Sequence, residues 1–67
     1  MQELTTSDVR SLDKVPIVIY HKKLGRWVDI AESVEYMRGW YNVKLWESAM
    51  HLPLDQYGTL WVAFTEK

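Results

Sequence analysis

Apolar and polar positions alternate through most of this chain, and in one stretch the spacing lengthens to that of a helix. Residues 1–14 are mostly polar. Thr5, Thr6, Ser7 and Asp8 are helix-start residues, and Val9 and Leu12 lie three apart. This segment reads as a short helical turn or a tail. Val15 to Tyr20 is β-branched, with Pro16 near its start, where a strand tolerates it. His21-Lys22-Lys23-Leu24-Gly25 reads as a hairpin connection, and Arg26-Trp27-Val28-Asp29 as the returning strand.

The next stretch carries helical signals. Asp29 and Glu32 have the spacing of a capping box. Glu32 and Glu35 fall in the early turns and Arg38 near the end, as the macrodipole favours. Ile30, Val34, Met37 and Tyr41 form an i, i+4, i+7, i+11 stripe. Gly39 weakens this helix by about 1 kcal/mol, and Asn42 is a candidate left-handed stop. Alternation returns over Val43 to Met50. Pro53, Asp55 and Gly58 then reverse the chain, and Leu60, Val62 and Phe64 alternate with Thr59, Trp61, Ala63 and Thr65. The pattern predicts an α+β fold: a small ββαββ domain over 15–67, with an antiparallel or mixed four-stranded sheet and one helix on one face. Residues 1–14 form a polar N-terminal segment beside it.

With the helix placed over Val28, Leu45, Leu60, Val62 and Phe64, alternation sends Trp27, Trp46 and Trp61 to the other face, with Lys44 beside them. Three indoles make an apolar patch larger than monomers usually leave bare. Candidate covers are the N-terminal segment with Leu4, Val9 and Leu12, a second copy of the chain, or a protein partner. Trp27, Lys44, Trp46 and Trp61 are therefore the candidate partner-binding residues. A one-residue slip in register would reverse this assignment.

Composition narrows the function classes. A chain of 67 residues holds one domain with little volume to spare for a cleft. Nine aromatic residues, four of them Trp, compensate for the small core. The net charge of −1 points neither to a general nucleic-acid binder nor to an acidic mimic. Local charge is more informative: Lys22, Lys23 and Arg26 cluster on the predicted hairpin, and form a candidate contact for phosphate or an acidic surface. The absence of cysteine removes disulfides and thiolate metal sites and favours a reducing compartment, with the cytoplasm as the default. No apolar run approaches a membrane span, and Met1-Gln2-Glu3-Leu4 lacks the features of a signal peptide.

Catalytic constellations do not emerge. His21 and His51 are far apart and have no spaced ligand partners, and no phosphate loop, nucleophile elbow or metal motif occurs. The expectation is a protein that is not an enzyme and takes no cofactor or metal.

Gly25-Arg26-Trp27-Val28-Asp29-Ile30, the following stretch that ends in Trp40-Tyr41, and Val43-Lys44-Leu45-Trp46-Glu47 resemble the small orphan proteins of bacteriophages. The resemblance covers about residues 15–65 and carries no residue roles. It implies a small inhibitor that docks sterically on a host enzyme or bacterial defence complex, in the host cytoplasm. The expected function is thus a protein-binding inhibitor or modulator, with a homodimer as a further form. The alternative is a nucleic-acid-binding module using an open aromatic sheet face and the basic hairpin.

Overall fold

The computed structural model describes residues 1–65; positions 66–67 of the expected domain lie outside the described residues. In chain order the elements are β1 (Gln2–Glu3), α1 (Thr6–Arg10), β2 (Val15–His21), β3 (Gly25–Met37), β4 (Trp40–Leu45), β5 (His51–Pro53), a 3-10 turn (Leu54–Gln56) and β6 (Trp61–Thr65). The strands form one six-stranded sheet in the order β1-β6-β2-β3-β4-β5, with every pairing antiparallel.

This overturns the ββαββ expectation. The stretch read as a helix is the second half of β3, a turn and the start of β4. Two interruptions of a strand pattern produced the helical spacing. The pairing of β3 with β4 shifts between Ala31 and Ser33, so core-packed Ala31 and Val34 stand three residues apart instead of two. Beyond them, Arg38 and Gly39 have φ of 55° and 85° and turn the chain between paired Met37 and Trp40. Two successive left-handed residues give the twist a tight hairpin needs. Asn42, expected as a helix stop, is buried in β4, where its side-chain amide donates to the carbonyls of Met37 and Trp40 at 3.4 and 3.0 Å.

The N-terminal segment belongs to the core. Thr5 caps α1 reciprocally with Asp8, and β1 pairs with β6. One sheet face carries Ile17, Ile19, Ala31, Val43, Leu45, Leu52, Trp61 and Ala63. Leu4, Val9, Leu12 and Leu54 pack over it. Leu4, Val9 and Leu12, expected as one candidate cover for a face of three tryptophans, instead close the core face that holds Trp61, while Trp46 stays exposed.

Candidate functional site

Strand register fixes what lies on the outer face. Ile17, Ile19, Trp61 and Ala63 point into the core, so their neighbours along β2 and β6 point out. Val62 pairs with Tyr20, which pairs with Arg26; Phe64 pairs with Val18, which pairs with Val28; Pro16 pairs with Ile30. The Trp46 backbone N–H donates to Ile30 O at 2.9 Å and extends the ladder by one residue. Trp46 thus stands opposite Ile30 on this same face.

These side chains form a continuous apolar surface. Val18 at its centre is only 2% exposed yet lies outside the main core cluster. Its cover comes from outer-face neighbours. The rings of Tyr20 and Phe64 meet edge to face at 5.3 Å. Arg26 lies over the Tyr20 ring at 5.7 Å, and its Nε donates to Tyr20 Oη at 3.3 Å. Val28 and Trp46 are 44% and 59% exposed. At one end the surface runs into an open groove of about 420 Å³ whose walls include Tyr20, Arg26, Leu60 and Val62.

The face assignment made from the sequence is reversed for two tryptophans. Trp61 is 2% exposed and its indole N–H donates to Pro53 O at 2.9 Å. Trp27 packs against the core and donates to Asp29 Oδ2 at 3.1 Å. Each indole has an internal acceptor, which lets it be buried without losing a hydrogen bond. Val28, Val62 and Phe64, expected in the core, lie outward. Leu45 is buried and Trp46 exposed, as read from the sequence. Trp27, Trp46 and Trp61 therefore share no exposed face. Lys44 lies on the same side of β4 as Trp46, between core-facing Val43 and Leu45, and stands in an ion-pair strip with Glu32 at 3.4 Å and Glu35 at 3.8 Å. His51 Nε2 lies 3.7 Å from Glu35 Oε2 in the same strip.

Of the basic cluster, Lys22 and Lys23 are exposed in the β2–β3 turn. That turn is tied by His21, whose Nδ1 accepts from the Lys23 and Leu24 amides at 3.1 and 3.2 Å. Arg26 leaves the tip and joins the outer face through Tyr20.

Asp29 was expected to cap a helix. Instead it is buried in β3 and organises the loop after β4. Its carboxylate accepts from the amides of Ile30 (2.7 Å), Glu47 (2.8 Å) and Ser48 (3.1 Å), and from the Trp27 indole. Burial alone would push its pKa up, but the hydrogen bonds from Ser48, Glu47 and Ile30 outweigh it and hold the group below the usual value. Its place in the Trp27–Glu47 network makes it a structural carboxylate that positions Trp46 on the outer face.

A second exposed aromatic group, Tyr36, Trp40 and Tyr41, sits at the β3–β4 turn. Sequence reasoning absorbed these residues into a helix. The available signal was three aromatics around Arg38-Gly39, a pair suited to a tight hairpin turn.

Among the described residues no group of His, Cys, Asp and Glu side chains gathers as a metal site. No helix among them is long and apolar enough to cross a membrane. Comparisons with protein-family models, curated proteins and solved structures give no match to this chain.

Proposed function

We propose that this chain is a non-catalytic protein-binding module, an inhibitor or modulator that works in a reducing cytoplasm by docking sterically on a protein partner. The docking surface is the outer face of β6, β2 and β3 with Trp46 at its edge. One observation carries the reading: Val18 is buried on a face that otherwise stays open, with exposed Val28 and Trp46 flanking the Tyr20–Phe64 pair. A buried apolar centre, aromatic anchors and a rim arginine are the components of an interface hot spot. The resemblance to small phage proteins supports the same class of function.

The test is capture from lysate in parallel with wild type, Val28→Lys and Trp46→Ser. Both positions are exposed, so circular dichroism should stay native. A partner held by wild type and lost by both variants supports the reading. A partner held equally by all three proteins sinks it.

A further inference from the structure

The hairpin joining β3 and β4 presents a second surface, separate from the outer face. Tyr36, Trp40 and Tyr41 are each at least half exposed there. Tyr36 and Tyr41 pair across the hairpin, and their rings meet edge to face at 5.0 Å. Arg10, in the last turn of α1, lies over the Tyr41 ring at 5.7 Å. Arg38 occupies the turn itself. Among the described residues neither guanidinium is in an ion pair with a carboxylate. Arg10, Trp40 and Tyr41, together with Leu54 and Asp55, line an open groove of about 380 Å³.

Aromatic rings left open to water beside unpaired guanidinium groups match a specific ligand chemistry. A planar base has a π-face to stack on an indole or phenol ring, and its phosphate has charge for a free arginine. The chain as a whole is near neutral, so the affinity must come from this local arrangement and not from a general basic field. Asp55, the carboxylate on the groove wall, can accept from a base N–H, a contact that an aliphatic peptide side chain cannot supply. A flat, aliphatic protein contact would find its match on the outer face instead. From this juxtaposition we infer that the β3–β4 hairpin tip, through Trp40, Tyr41, Arg10 and Arg38, is a binding site for single-stranded nucleic acid. Bases stack on the aromatics, and the two arginines hold flanking phosphates. Duplex is excluded because its bases are already stacked.

The experiment is fluorescence anisotropy of labelled mixed-sequence strands of about 12 nucleotides, as DNA, as RNA and as the annealed DNA duplex, over a range of salt. The expected result is binding of a single strand that weakens steeply with salt, with duplex binding at least tenfold weaker. Whether DNA, RNA or both bind identifies the source of the bases, and each supports the site. Trp40→Ala should weaken binding about tenfold, the loss of one stacked base. Arg10→Gln, on the helix surface, should weaken it and reduce the salt slope by about one. Leu24→Ser, at an exposed position in the β2–β3 turn, serves as a control that leaves this affinity at the wild-type level. No single-strand binding at low salt overturns the site, as does equal binding of duplex, or affinity unchanged by both Trp40→Ala and Arg10→Gln. A protein partner lost through Trp40→Ala, with no oligonucleotide bound, assigns the surface to protein and also overturns it.

Discussion

The carboxylate of Asp29 accepts the backbone N–H of Glu47 at 2.8 Å across eighteen residues of chain. A second oxygen accepts from Ser48. These bonds tie the middle of β3 to the loop that carries Trp46. Removing the acceptor leaves the amides of Ile30, Glu47 and Ser48, and the Trp27 indole, without it. Asp29→Ala should cost about 3 kcal/mol or more. A chain of this length has about 3–10 kcal/mol in total, so the variant should be largely unfolded in a urea titration. Asp29→Asn should retain the shape but present an NH2 to donors, and fall between the two.

The same carboxylate sets an acid limit. Its folded pKa lies below the ordinary value because the hydrogen bonds of the anion outweigh burial. Asp8, held down by the Thr5 backbone N–H and hydroxyl, shifts the same way. A carboxylate with a lowered folded pKa contributes its full stability above the unfolded pKa of about 3.9 and loses it as pH falls through the lower folded value. On the acid side stability should therefore hold level down to about pH 5 and decline below about pH 4. Urea midpoints against pH check this. Asp29→Asn should show a shallower decline than wild type, and an equal slope would assign the effect to other carboxylates.

The two sheet faces should respond differently to truncation. Trp61 fills the core between β6 and the 3-10 turn, so Trp61→Ala should cost about 3–5 kcal/mol and abolish a cooperative transition. Phe64 lies on the outer face and is only partly buried. Phe64→Ala should cost about 1–2 kcal/mol and leave a folded protein. Equal costs would mean the outer face is as closed as the core.

Much of the strand content was legible because β2 is a β-branched run and β6 alternates, and the glycine that the β2–β3 connection offers at position 25 takes φ 87° there. The centre of the chain was not. A pairing irregularity near Glu32 and a left-handed pair at Arg38-Gly39 mimic helical spacing, and no local signal separates a bulged strand from an amphipathic helix over so few residues. The error in facing followed from that. With a helix supposed on one side, Val62 and Phe64 were its natural partners, whereas the real cover is α1 and the N-terminal leucines on the Trp61 side. Trp46 was placed correctly because Leu45 and Trp46 alternate without interruption from Val43. The aromatic tip was hidden because Tyr36 and Tyr41 become neighbours only through the turn between them.

Tyr57 fastens the N-terminal segment. Its hydroxyl donates to Leu4 O, and its ring meets Trp61 edge to face at 5.0 Å. Burial, with the negative charges of Glu3 and Asp8, pushes its phenol above the usual value. The folded state thus favours the protonated phenol. This contribution is complete below the unfolded pKa of about 10 and is lost as pH rises through the folded value. Tyr57→Phe should cost about 1 kcal/mol near neutrality and remove part of the alkaline decline in stability. Thermal melts at pH 7 and above pH 10 separate the two effects.

The loop that Asp29 holds contains a residue in the left-handed region. Ala49 has φ of 56°, in the region where a Cβ crowds the backbone. Its neighbours Glu47 and Ser48 are anchored to Asp29 and Leu45 N–H donates to Met50 O at 2.8 Å, so the chain between them must take a left-handed residue to close. Glycine adopts that conformation without the Cβ cost of about 1–2 kcal/mol and gives back about 0.5–1 kcal/mol in unfolded-state entropy. Ala49→Gly should therefore stabilise the protein by up to about 1 kcal/mol, read as a higher urea midpoint at an unchanged m-value. The gain should shrink in the Asp29→Asn background, because the amide keeps one acceptor and loses the other, and so holds the loop less firmly at position 49. An undiminished gain there would separate the strain at Ala49 from the Asp29 network.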